Sequence, residues 1–342
     1  MKRYLIYFLK KRLHVVLILS VIMITIISVA LSNTNFIYER PIWDAGYNHI
    51  VRHEKVADNV PIAYLTVFAC LLVSIVPIFE FSFKMKKISV DQQYSLPIKR
   101  EKLYLTKYLV GLYEILIPLT IAYLWMILMI ITKENLFNMG YVYLYYPILL
   151  FLSIVIYTII CFVYTRGNTV ADGIMNIIFY IFLGFVFLMI FYTWDLPIGD
   201  HNSYFFLYSP HTCANRIFRN LIENKTSTYK TIDLISMLFY TVVAIVFFIL
   251  FLILNKKEKS ENSMQISESY FSYKTMIPYY AIVCSAFSTD SALVLAFVFT
   301  GAYILYATYK RSFKLAKKDL IKLVIIYITC IIFAIISNQI AY

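Results

Sequence analysis

Four groups of residues in this chain have the types that do chemistry. His49 and His53 stand four apart in HIVRHE, beside Glu54 and Asp58. On a helix they would share one face, as a metal pair does, but the spacing is not HExxH and a solvated loop has the same residues. Asp200, His201, Ser203, Ser209 and His211 supply the types of a hydrolytic triad, yet no nucleophile elbow or glycine-rich turn goes with them. Glu80 and Glu114 lie inside apolar runs, and Asp290 sits between two more. Carboxylates at membrane depth are functional candidates. Both glutamates are near the basic ends of their runs, Glu80 four residues from Lys84 and Glu114 seven beyond Lys107, so pairing with these lysines or snorkelling to water is the favoured account of them. None of the eight Gly is followed by Lys, so GxxxxGK[ST], the loop that holds nucleotide phosphates, is absent. The five Cys, at 70, 161, 213, 284 and 330, form no CxxC pair or metal-ligand spacing. The residues specify neither a catalytic set nor a metal site.

The elements that carry these groups are membrane helices. The chain has 342 residues, of which 61% are hydrophobic and only 15% charged, and its mean hydropathy is +0.74. A soluble fold of this length needs more charge to cover its surface. The net charge is +12, and the placement of the 31 Lys and Arg decides what it means. Residues 1–12, 84–107, 165–172, 255–274 and 310–322 hold 23 of them and the intervening loops hold 8. That is a positive-inside bias, not a nucleic-acid footprint, and it places the N-terminus in the cytoplasm.

Apolar runs predict spans at 13–32, 61–83, 108–132, 143–164, 173–194 and 233–254, each near the length of one helical crossing. The first has no small-residue cleavage site and reads as a retained anchor preceded by an interfacial helix at 1–12, MKRYLIYFLKKR. Outer loops fall at 33–60, 133–142 and 195–232, the last containing an Asn224-Lys225-Thr226 sequon, and residues 255–274 read as a polar cytoplasmic linker. Trp43, Tyr141, Tyr143 and Trp194 sit where interfacial anchors belong. After Lys274 two crossings must fit into 35 residues. Split at Asp290 they have about 15 and 19 residues, and the first reaches only ~22 Å, which predicts two short helices: a thin pair of spans or a re-entrant hairpin. A last span at about 323–339 puts the C-terminus outside. The expected fold is therefore an all-α polytopic bundle in a single membrane domain, 1–342, with eight or nine apolar segments.

Between the second and third spans lies DQQYSLPIKREKLYLTKYL, starting at Asp91. Pro97 suits the first turn of a helix, and KREKLYLTKYL continues it into the third span, giving a coupling-type helix at about 91–107. On residue chemistry alone this is equally a docking surface or a basic loop lying on anionic lipid. Its SLPIKREKLYLTKYLVGL resembles the segment that follows the second span in ABC type-2 exporter permeases. Four further stretches resemble the same family in order: RGNTVADGI from Arg166, LYSPHT from Leu207, KEKSENSM from Lys257 and YKRSFKLAKKDLIKLVIIY from Tyr309. The chain departs from the pattern at Ser263 and Met264, where the family has Ala-Gly.

The resemblance implies a permease subunit of a bacterial plasma-membrane exporter, not itself an enzyme. It pairs with an identical or homologous permease and docks two ATPase subunits, which supply ATP and Mg. It binds no cofactor directly, and its cargo is amphipathic or hydrophobic: a peptide, an antibiotic or a lipid-linked compound. Lys99, Arg100, Glu101 and Lys102 become the expected ATPase contacts, and Tyr94, Leu96, Pro97 and Ile98 their apolar key. Two other readings compete: a sensor or immunity subunit that binds a ligand without moving it, and a membrane-embedded lipid-modifying enzyme, which needs clustered carboxylates, His or Ser at one membrane face.

Overall fold

The computed structural model describes residues 2–33, 37–43, 50–57, 60–134, 140–193, 227–286 and 292–341. The elements are α1 (Lys2–Asn33), β1 (Ile37–Trp43), β2 (Ile50–Ala57), α2 (Val60–Phe81), α3 (Lys87–Tyr94), α4 (Arg100–Glu134), α5 (Gly140–Tyr164), α6 (Val170–Thr193), α7 (Ser227–Lys256), α8 (Tyr273–Ala286), α9 (Ala292–Lys310) and α10 (Lys317–Ala341). It is a polytopic helical bundle. The eight or nine expected apolar segments correspond, among the described residues, to every helix except α3, and α1, α2, α4, α5, α7, α9 and α10 are each long and apolar enough to cross a membrane.

Three expectations change. Residues 2–33 form one helix of 32 residues, not an interfacial helix followed by a span. No Gly or Pro separates the two parts, so nothing interrupts the backbone ladder. The segment read as a first outer loop contains an antiparallel strand pair, with Ile37 opposite Ala57 and Arg40 opposite Glu54. His53 is on β2, so the helical spacing that would have set it beside His49 does not exist, and His49 itself lies outside the described residues. The stretch 91–107 is not one helix: it comprises the end of α3, a turn at 95–99 and the start of α4. The expected short pair is present as α8, 14 residues, and α9, 19 residues, before a final helix. Asp290 falls outside the described residues, as do 200–211 and the LYSPHT stretch.

Lipid tails are as apolar as leucine, so these helices associate through close packing and hydrogen bonds across helices. Trp125 Nε1 donates to Ser28 Oγ at 2.9 Å, joining α4 to α1. Thr66 and Tyr145 hydroxyls meet at 2.9 Å between α2 and α5, and Tyr108 and Thr158 at 2.7 Å between α4 and α5. A Cβ on Gly111 would overlap the Tyr157 hydroxyl, so glycine is what lets α4 approach α5 this closely. Buried apolar residues form two clusters, one within α1, α2, α4, α5 and α7, the other within α8, α9 and α10. Helix α6 serves both, with Ile177 in the first and Phe179 in the second.

Candidate functional site

The basic segments converge at one end of the bundle. The turn after α3 forms because Leu96 precedes a proline, which disfavours helix there. Ile98 N–H then donates to Leu96 O at 2.7 Å across Pro97, a γ-turn. Helix α4 starts after it, with Leu103 N–H donating to Lys99 O at 3.1 Å. The eight expected contact residues therefore lie on two helix ends and the turn between them, not on one helix. Pro97, Lys99, Arg100 and Lys102 are exposed; Tyr94, Leu96, Ile98 and Glu101 are half-buried. Glu101 pairs with Lys256 of α7 at 2.6 Å, a solvent-screened surface pair. Arg100 stacks over Tyr94, 4.5 Å from the ring centre, and donates to Glu258 O.

Tyr94 connects this turn to the core. Its hydroxyl meets that of Tyr104 at 3.0 Å, and Tyr104 stacks on Phe81 of α2 and packs edge-on to Phe251 of α7. Burial raises the Tyr94 phenol above its ordinary range, so it stays protonated and able to bond.

Beneath the turn is a polar knot that sequence reasoning did not assign, buried at Lys84, Arg166, Asp172 and Ser267 and open to solvent at Arg311. After α2 a 3-10 turn, Ser82–Met85, turns Lys84 inward, where it pairs with Glu258 at 3.2 Å and donates to Thr165 O. Arg166 Nη2 donates to Asn255 Oδ1 at 2.6 Å, and Ser267 Oγ to Arg166 O at 2.7 Å. Burial pulls the Arg166 guanidinium down, but from so high a value that it remains a cation. Met264 N–H donates to Asn168 O at 3.0 Å. Arg311 Nη2 reaches Asp172 Oδ2 at 3.4 Å and Gln265 O at 3.2 Å, while its Nη1 donates to Met264 O. Tyr309 donates to Ser267 O. The signal was present: Arg166 and Asp172 lie in RGNTVADGI, Glu258 and Met264 in KEKSENSM, and Arg311 in KRSF. Met264 has φ 65, a left-handed conformation that suits glycine, and it stands where the resembled family has one.

Glu80 and Glu114 are buried at the same end, but their partners differ from those expected. Glu80 pairs with Arg12 at 2.6 Å and Lys107 at 3.2 Å, and Glu114 with Arg12 at 3.3 Å. Helix α2 stops at Phe81, so Lys84 is no longer one helical turn beyond Glu80 on the same face. Lys107, seven residues before Glu114, turns across to α2 and lies over Phe8 of α1, 4.2 Å from the ring centre. The two carboxylates thus clamp α1 to α2 and α4.

A groove of 430 Å³ opens between α6, α8 and α9, lined by Phe179, Phe182, Ile277, Tyr280, Phe297, Gly301 and other apolar residues. Scans against family models, curated proteins and solved structures each returned no match for the chain.

Proposed function

We propose that the chain is the membrane permease of an ATP-driven exporter, with separate ATPase subunits supplying the nucleotide chemistry. The observation that carries the reading is the junction at the basic end. Four of the five stretches that resemble ABC type-2 permeases, far apart in sequence, are bonded to one another there through Arg100–Glu258, Met264–Asn168 and Arg311–Asp172. On this reading that end is cytoplasmic, in a bacterial plasma membrane, and two ATPase subunits dock on a permease pair made with an identical or homologous partner.

The step is vectorial and breaks no bond in the cargo. ATP binding moves the docked ATPase against the turn at 95–99, where Lys99 and Lys102 offer cations to an acidic surface. Displacement of that turn reaches α2 and α7 through Tyr94, Tyr104, Phe81 and Phe251. The groove beside α8 suits a hydrocarbon portion of an amphipathic cargo.

The test is co-purification with candidate ATPases and measurement of permease-dependent ATP hydrolysis. Replacing exposed Lys99 and Lys102 by Glu is expected to abolish that dependence while insertion and thermal stability are unchanged. Arg100→Glu should lose both coupling and stability, because Arg100 also holds Glu258 O. Failure of any ATPase to associate sinks the proposal, and unchanged coupling in the lysine variant removes the role of the turn.

A further inference from the structure

We infer that the loop joining α9 to α10 is a binding site for the headgroup of an anionic phospholipid, formed by Lys314, Lys317, Lys318 and Lys322 around an inserted Phe313. The inference is independent of the exporter reading.

It begins with how α9 ends. Ser312 N–H donates to Ala307 O at 3.1 Å and Arg311 N–H to Thr308 O at 3.1 Å, with Arg311 at φ 53. This pair of bonds about a left-handed residue is a Schellman motif, which reverses the chain. The segment after it is tied to the last turns of its own helix: Tyr303 OH donates to Phe313 O at 2.7 Å. Leu315 packs on the core of α8, α9 and α10, which fixes the loop there.

Phe313 is nevertheless 76% exposed, and Leu320 and Ile321 on the first turns of α10 are exposed too. An exposed aromatic side chain tied to the end of a membrane-spanning helix is placed to enter the interface between headgroups and acyl chains. The charges sort in the same way. The two cations nearest α9 are used internally, Lys310 by Asp319 at 3.3 Å and Arg311 by Asp172 at 3.4 Å. Asp319, the only acid from 310 to 322, is buried and neutralised by that pair. Lys314, Lys317, Lys318 and Lys322 are exposed and appear in no ion pair among the described residues. Four uncompensated cations above an apolar wedge complement a phosphate-bearing headgroup above its acyl chains. A soluble acidic protein would leave Phe313 without a partner.

The experiment uses the full chain in neutral detergent, with native mass spectrometry counting retained lipid during titration with phosphatidylglycerol, phosphatidylcholine or inorganic phosphate. Wild type should retain phosphatidylglycerol in preference to phosphatidylcholine. Replacing the four lysines by Gln should weaken that retention by roughly fivefold per lysine at low salt. Phe313→Ala should lower affinity for both lipids while keeping the preference. Lys10→Gln with Lys11→Gln, two exposed cations of α1, should leave the preference intact. Equal losses in the two lysine variants would mean diffuse charge and overturn the site. So would retention unaffected by the four substitutions, or inorganic phosphate displacing the lipid at equal concentration, which would indicate a site for free anions.

Discussion

Removing the Arg12 guanidinium is the most demanding check on the carboxylate clamp. In Arg12→Gln, Glu80 keeps Lys107 at 3.2 Å, but Glu114 loses the cation 3.3 Å from it. A buried carboxylate stripped of its partner destabilises a fold by about 3–5 kcal/mol if it stays charged. It has another course, which is to take a proton. Neutralising a glutamic acid of ordinary pKa, about 4.3, at pH 7 costs about 1.4 kcal/mol per pH unit, or about 3.7 kcal/mol in all. That figure bounds the contribution of Glu114 alone, and the 2.6 Å pair between Arg12 and buried Glu80 is lost as well. Arg12 is itself 27% exposed, so some water already reaches the clamp and the loss should be about 3 kcal/mol. The assay is unfolding by sodium dodecyl sulfate in mixed micelles, followed by circular dichroism and tryptophan fluorescence. Adding Glu114→Gln should restore part of the loss, since it removes the stranded carboxylate but not the broken pair to Glu80. A loss under about 1 kcal/mol for Arg12→Gln, or no recovery in the double variant, would refute the reasoning.

Other substitutions probe the backbone and the buried bonds. Met264→Gly should stabilise by about 0.5–1 kcal/mol in the same unfolding assay, because the left-handed penalty exceeds the entropy glycine loses and Met264 is exposed. Gly111→Ala should cost about 1–3 kcal/mol through overlap with the Tyr157 hydroxyl, and Tyr157→Phe in that background should recover part of it; additive losses would locate the strain elsewhere. Asn176 accepts from Tyr273 N–H at 2.6 Å and donates to Val163 O at 3.3 Å, so Asn176→Ala should cost about 2–3 kcal/mol and speed amide exchange at the start of α8.

Hydropathy is a local property, and the helical segments that depend on it were legible in the sequence. The short pair after Lys274 followed from counting residues between two basic clusters, and α8 and α9 have the lengths that count requires. Partner choice was not legible. Four-residue spacing assigns Lys84 to Glu80 on a continuous helix, and a 3-10 turn at Ser82–Met85 sends it to Glu258 instead. Arg12 reaches glutamates on two later helices, a choice set by tertiary packing that no spacing encodes. The helix expected at 91–107 broke because proline acts on the residue before it, at Leu96, as well as fitting a first turn. The polar knot was half legible: its residues sat in the stretches that resemble a family, but resemblance marks positions without saying what they bond.

Helix α6 answers to two cores at once, through Ile177 and Phe179. Each core can drift in sequence by compensating changes among its own helices. A change on α6 is tested twice, because what suits one cluster must not spoil the other. The helix therefore behaves as a shared bearing: the C-terminal three helices are free to diversify around it, and α6 itself is the part least able to follow.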